Sequence, residues 1–599
     1  MLKILTLICA LIGLLAAISL ETWLRSRIVR NETSAETYAE VKSRNSEFWS
    51  IQYVPLIIVL AILAAVLFVF VGHLNAAVFL GGAALCFVSV LTGATTVVTG
   101  SISSSSTAVS GDIRSALKTA YRSASVMGLS VSSIALVGLG VLFFFLKRGQ
   151  LVELVASFAL GASIVSLIIG LSGTAFSGAY ALTVRGNDFT DYTGMFIGSG
   201  ADHVETYILS ACSAALLSEV AVDTSGVMST FTATSAARYP LIIFAAGIVA
   251  SIIGIMTYRG YFVKKPAAGI TVGNFIAAVL IAAAAIYFSN DLLQSYVYGI
   301  CAALGILAAL ISGEASKAYS IDGAVFKRFL PDVKKTGVSQ SMIYSLSIGM
   351  ISVVIPAILT TVAMVLAYNF ASFYGIALAA VGINSMAAVN SAVRGFSINT
   401  ASASEIASVC DPDAESPNPA DVLLTASATA DSVGKTYSGV AAYVTLVAMF
   451  TALSVVAKNP AINLLSTPVF TGISIGAVSV FVCAGFIIRS IRLTSQVLGV
   501  RLVDSYDSEK RITSLRGLIP LFIISIIVPL AAGAAGGVNG LISFSCAASV
   551  TGMCVIFAFN NAGKYFDRMA TETLGTIIKL MLAVTLVFAP LFMKFGGLF

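Results

Sequence analysis

The stretch Ser199–Leu217 reads S-G-A-D-H-V-E-T-Y-I-L-S-A-C-S-A-A-L-L. Its second half is an apolar run, so the charged first half opens a helix that lies inside a membrane. Asp202 and Glu205 stand three residues apart, which puts both carboxylates on one helical face. Far downstream Lys579 interrupts a second apolar run, G-T-I-I-K-L-M-L-A-V. Ionisable side chains within a span are costly, face the bundle interior and pair with one another. Asp202, Glu205 and Lys579 therefore read as an intramembrane ion gate. The plainer reading of the same three residues is an ion pair that locks two helices.

The whole chain agrees with a membrane setting. Of its 599 residues 58% are hydrophobic and only 10% charged, against about 25% charge in soluble domains. Its mean hydropathy is +0.97. Applying the length of about 20 apolar residues that crosses a bilayer, the sequence holds sixteen candidate spans, near 2–20, 53–73, 76–98, 126–146, 151–177, 200–222, 240–257, 268–288, 294–313, 344–367, 371–393, 432–457, 463–488, 516–535, 538–560 and 573–593. The expectation is an all-α polytopic membrane protein, one integral membrane domain over residues 1–599. The first span lacks a small-residue cleavage site and reads as a helix rather than a signal peptide.

The loops set the orientation. With span-edge residues assigned to the nearest loop, alternate loops starting at 21–52 carry 27 of the 34 Lys and Arg residues. The other side carries Lys3, Lys147, Arg148, Arg238, Lys458 and Lys594, and Lys579 lies within a span. By the positive-inside rule the basic loops are cytoplasmic and both termini lie outside. Segments rich in small residues, such as Ala156–Gly178 and Ala532–Gly540, favour close helix approach.

Several function classes drop out. The eight cysteines show no metal or redox spacing, and His73 and His203 are the only histidines. No G-x-x-x-x-G-K-[ST] motif marks an ATP-driven pump. No basic, aromatic-interleaved patch marks nucleic acid as a partner.

Y-G-I-A-L-A-A-V-G at Tyr374–Gly382 and D-S-V-G-K-T-Y-S-G-V-A-A-Y-V-T-L-V-A-M-F-T-A-L at Asp431–Leu453 resemble the membrane-integral pyrophosphatases. A-L-K-T-A-Y-R-S-A-S-V-M-G (Ala116–Gly128), G-A-D-H-V-E-T-Y and I-I-K-L-M-L-A-V-T-L-V-F-A-P-L-F (Ile577–Phe592) are similar to further family segments, in order along nearly the whole chain. The resemblance implies a homodimer of sixteen-helix subunits in a prokaryotic cell membrane, built to couple cytoplasmic pyrophosphate hydrolysis to H⁺ or Na⁺ export. It also implies that Asp202, Glu205 and Lys579 match the family's gate cluster. The fifth-helix Arg above that cluster falls on Gly170, and His203 replaces an apolar residue, where a structural role is expected.

The hydrolytic motifs match poorly. Magnesium takes oxygen ligands, and hydrolysis needs several such ions to neutralise charge and activate water. The family's two fifth-helix aspartates fall on Ala181 and Arg185, and its second acidic motif is missing. Further acidic and amide positions fall on Arg394, Ala401, Ser402, Ser408 and Lys435, and the family's twelfth-helix Lys falls on Ala442. Asp431 is kept, Asn560 replaces an aspartate, and Lys564 is kept. Cations at metal positions repel metal ions.

These comparisons predict a pyrophosphatase-like chain without the Mg²⁺–pyrophosphate site but with the ion gate. Its expected role is H⁺ or Na⁺ translocation or that of a non-catalytic subunit in a membrane complex. Arg185, Arg394, Lys435 and Lys564 then form a candidate anion-binding set. One alternative is an active pump with a rebuilt, Mg²⁺-dependent site drawn from Asp188, Asp191, Asp411, Asp413, Glu415 and Asp421, although D-P-D-A-E-S-P-N-P-A-D reads as a solvated, proline-broken loop. The other is a purely structural scaffold in the lipid bilayer.

Overall fold

The structure is a computed structural model that describes residues 2–26, 32–145, 148–179, 181–184, 187–190, 192–224, 233–258, 266–319, 338–410, 418–458, 463–499, 519–560 and 571–598. The fold is helical. In chain order the helices are α1 (Leu2–Arg25), α2 (Glu32–Phe70), α3 (His73–Val109), α4 (Ile113–Phe145), α5 (Arg148–Ala179), α6 (Thr193–Thr224), α7 (Ala233–Thr257) and α8 (Pro266–Leu293). They continue with α9 (Val297–Ser316), α10 (Val338–Ser352), α11 (Val354–Ser385), α12 (Ala387–Cys410), α13 (Pro419–Val456), α14 (Thr467–Gly499), α15 (Ile519–Asn560) and α16 (Thr571–Phe595).

One element departs from the all-helical expectation. Strands β1 (Ala181–Val184) and β2 (Asn187–Thr190) pair antiparallel between α5 and α6, with Val184 opposite Asn187. Their β-branched and aromatic residues, Thr183, Val184, Phe189 and Thr190, suit a pleated ribbon. Tyr192 then donates from its hydroxyl to Glu405 of α12 at 2.7 Å, tying the start of α6 to a neighbouring helix.

Among the described residues thirteen helices are long and apolar enough to cross a membrane. Together with the length of these runs, this makes the chain a multi-pass integral membrane protein. Two of the thirteen contain breaks near boundaries that the hydropathy pattern places between spans. One is at Ala371–Ser372, where Ser372 has φ 52°, and the other at Gly537, φ 58°. At Gly537 the left-handed backbone conformation favours glycine. The helix α6 is not among the thirteen, because Asp202, His203, Glu205 and Thr206 lower its hydropathy.

That polarity is accommodated by burial within protein. Every residue from Tyr192 to Ser218 is buried, and α6 touches α3, α4, α5, α7, α11, α12, α13 and α16. The outer helices differ: the most apolar window of α5 is 94% buried, whereas that of α2 is 11% buried. A helix apolar all round but exposed on most of its surface belongs against lipid. Close approach at the centre needs residues without side chains. Gly173 of α5 and Gly194 of α6 face each other so tightly that a Cβ on either would lie 2.3 Å from the other's carbonyl oxygen. Small residues thus bring the charged helix into the bundle's core.

Candidate intramembrane ion site

On α6, Asp202 and Glu205 turn toward Lys579 of α16, as their three-residue spacing requires. The Lys579 ammonium is fully buried and donates to Asp202 Oδ1 at 2.5 Å and to Thr206 Oγ1 at 2.7 Å. It also stands 3.0 Å from Glu205 Oε2. Asp202 is the better served carboxylate. Ser438 of α13 donates to its Oδ2 at 2.9 Å, and Thr576 of α16 donates to its Oδ1 at 3.2 Å. Neither oxygen of Glu205 has a partner in hydrogen-bond geometry among the described residues. The site therefore holds two carboxylates on one ammonium, one satisfied and one leaning on the ion pair alone. Such an arrangement sits one charge short of neutrality, which is the condition for holding a proton or a small cation beside Glu205.

His203 turns to another face. Its Nδ1 lies 2.8 Å from the Ser199 carbonyl oxygen one turn back, and Nε2 has no partner among the described residues.

A second ion-pair layer lies nearer the helix ends that join the basic loops. Arg394 of α12 is 2% exposed. Its Nε donates to Glu572 Oε1 of α16 at 2.5 Å, and its Nη1 donates to Asp431 Oδ1 of α13. Lys435, one turn beyond Asp431 and 1% exposed, stands with its Nζ 2.5 Å from Asp431 Oδ2. Asn560 of α15 donates to the Lys435 carbonyl oxygen at 3.2 Å. Both oxygens of Asp431 thus carry cationic donors, and the four side chains sum to zero charge.

The structure brings together three of the residues singled out for anions and acids, Arg394, Lys435 and Asp431, and adds Glu572. With Glu572 present, Arg394 and Lys435 are matched by carboxylates of the protein itself, so the excess positive charge expected of an anion site is absent from this cluster. Arg185 and Lys564 lie outside the described residues, as do Asp191, Asp411, Asp413 and Glu415. Asp188 lies in β2. Asp421 forms a capping box with Asn418 at the start of α13, which gives it a local structural task.

Glu572, Ser438, Thr206 and Thr576 escaped the sequence reading. A signal for Glu572 was present, because it precedes Lys579 by seven residues in T-E-T-L-G-T-I-I-K, two turns along one face. Ser438 follows Asp431 at the same spacing.

The profile of the family described as Inorganic H+ pyrophosphatase matches residues 11–181 and 186–503. The chain belongs to that family. A protein of Clostridium tetani named for a K(+)-stimulated pyrophosphate-energized sodium pump is 24% identical over 675 aligned positions, covering 99% of this chain and 98% of the relative. A K(+)-insensitive pyrophosphate-energized proton pump of Methanosarcina mazei is 23% identical, over 76% of this chain and 73% of its own length. A K(+)-stimulated pyrophosphate-energized sodium pump of Thermotoga maritima is 23% identical, over 67% of this chain and 64% of its own length.

Membership of this family raises the question of Mg²⁺. Hard cations need free carboxylate oxygens, and in this cluster the Asp431 oxygens face Arg394 and Lys435, while Glu572 Oε1 faces Arg394. The residues described at this layer do not fit Mg²⁺ as they are arranged, and no step is derived through it.

Proposed function

We propose that this chain is a pyrophosphatase-family membrane protein in which an internal ion-pair layer stands in place of the Mg²⁺–pyrophosphate site. In this reading it keeps the Asp202–Glu205–Lys579 gate and serves H⁺ or Na⁺ translocation, as a transporter or as a non-catalytic subunit of a larger membrane complex. The basic loops face the cytoplasm, both termini face out, sixteen spans cross the bilayer and two copies pair as a homodimer. The observation that carries the reading is the clamp on Asp431. The one acidic residue kept from the twelfth-helix motif has a guanidinium on one oxygen and an ammonium on the other.

The gate supports the translocation half of the proposal. Breaking a buried ion pair from one side leaves an uncompensated charge, so a chain keeping three such groups in one contact keeps a site that binds cations or protons. Its partly served Glu205 is the group that would exchange one.

The test is Mg²⁺-dependent phosphate release from pyrophosphate by the purified protein in lipid, with and without K⁺ and Na⁺. The proposal expects release no greater than from a heat-killed control. Turnover in the usual enzyme range of about 1–1000 s⁻¹ would replace it with a second reading, an active pyrophosphate-energised pump with a rebuilt site. The names of the relatives, and the near full-length match of the Clostridium tetani one, favour that second reading.

A further inference from the structure

The two ion-pair layers are mechanically joined. Asp431, Lys435 and Ser438 follow one another on α13 at spacings of four and three, and Glu572, Thr576 and Lys579 do the same on α16. Each helix therefore turns a single face to both layers. At one end of that face Asp431 and Glu572 grip Arg394. At the other, Ser438 and Thr576 converge on Asp202. Seven residues of α13 separate Asp431 from Ser438, a rise of about 10 Å at 1.5 Å per residue, and four residues of α16 separate Glu572 from Thr576, about 6 Å.

Between the layers lies a cavity of about 10 Å³ whose polar lining is Asp202, Lys435, Ser438, Asn560 and Glu572, the rest of its wall being apolar. That is about the space of one water. Of these five polar groups two are carboxylates, one is a hydroxyl, one an amide and one the Lys435 ammonium. Without Lys435 the oxygens of Asp202, Ser438, Asn560 and Glu572, set in an otherwise apolar wall, would face a small cation on its way to Asp202. With Lys435 those oxygens share the cavity with an ammonium whose charge Asp431 balances. The ammonium is carried on a side chain 1% exposed and is anchored on Asp431 at 2.5 Å. Like charges in a poorly screened interior repel strongly.

We propose that Lys435 is a tethered cation that seals the approach from the basic loops to Asp202. Its side chain lines the cavity that a Na⁺ ion or a hydrated proton would pass between the layers, and the gate stays closed to passive flow while its ammonium is held there on Asp431. The inference rests on reading Asp202, Glu205 and Lys579 as an ion gate, and it assigns this chain's own lysine as the residue that sets passive permeability.

The experiment is Na⁺ and H⁺ flux down an imposed gradient into liposomes holding the full chain, without pyrophosphate. It compares wild type with Lys435→Ala, Lys435→Met and the double variant Lys435→Ala/Asp202→Asn. Lys435→Ala is expected to raise flux about tenfold or more, the factor carried by each ~1.4 kcal/mol of barrier. Adding Asp202→Asn is expected to return flux to the wild-type level, and methylammonium on the basic-loop side is expected to block the Lys435→Ala variant. Lys435→Met keeps the length without the charge, so it also raises flux, and it carries the test should the alanine variant not fold. Wild-type flux in both single variants, each monodisperse in detergent, overturns the proposal and leaves Lys435 as a packing partner of Asp431. A leak that ignores Asp202→Asn also overturns it, since the route then avoids the gate. Phosphate release measured separately in the same vesicles would overturn the functional proposal without touching this comparison.

Discussion

Lys579 is the residue on which the proposed gate turns. Its ammonium is the only counter-charge found within ion-pair distance of Asp202 and Glu205 among the described residues. Lys579→Ala strands two carboxylates in the core, and such one-sided losses cost about 3–5 kcal/mol. A large fall in the thermal midpoint is expected, with partial recovery when Asp202→Asn is added, because removing both partners leaves less uncompensated charge. Equal midpoints for wild type and Lys579→Ala would show that the triad matters little. In the second layer, a double-mutant cycle on Arg394 and Glu572 should return a coupling of about 0.5–3 kcal/mol, and a coupling near zero would contradict the short contact between them. The contact among Asp202, Glu205 and Lys579 was legible in the sequence because each is a charge inside an apolar run. Glu572 was not, since it sits at the edge of a span where a carboxylate reads as solvated. Likewise Arg394 and Lys435 read as bare cations, because pairing across helices depends on rotation and register that one strand of sequence does not carry.

At the scale of elements, α6 owes its place to small residues rather than to hydropathy. Its polar first half lowers its score as a span, yet its burial is complete from Tyr192 to Ser218. Gly194→Ala would set a methyl 2.3 Å from the Gly173 carbonyl oxygen. Overpacking of this kind costs about 1–3 kcal/mol, and the expected readout is a lowered thermal midpoint, whereas Gly81→Ala, in the interior of α3 with nothing within 4 Å, should leave it unchanged or raise it slightly. The reverse order would contradict the packing. Span boundaries were legible where the backbone breaks: hydropathy divides the chain near residues 368–370 and 536–537, and the helices bend at Ser372 and Gly537. The hairpin Ala181–Thr190 was not legible. Four-residue strands fall below the length at which alternation can be told from a polar loop.

For the whole molecule, the charge asymmetry of the loops fixes the expected orientation. With 27 of 34 basic residues on one side, a periplasm-active alkaline phosphatase fused after Phe599 should be active and a green fluorescent protein fused there should be dark. The opposite pattern would invert the gate and place the Arg394–Asp431–Lys435–Glu572 layer outside. Either way the layers keep their order, since α13 and α16 each carry one group of residues for both. That order underlies the central claim: the position nearer the basic loops, where the family resemblance places metal and phosphate, is held here by charges of the protein itself.

The most direct test of that claim is binding rather than turnover. A ligand that binds the folded state at 100 times its Kd stabilises it by about 2.7 kcal/mol, so a thermal-shift titration of the purified protein with Mg²⁺ and non-hydrolysable imidodiphosphate reads the site without requiring catalysis. The account predicts no shift beyond that of Mg²⁺ or imidodiphosphate added alone. A saturable rise in the midpoint that needs both together would contradict it and mean that Asp431 and Glu572 release Arg394 and Lys435 to take metal.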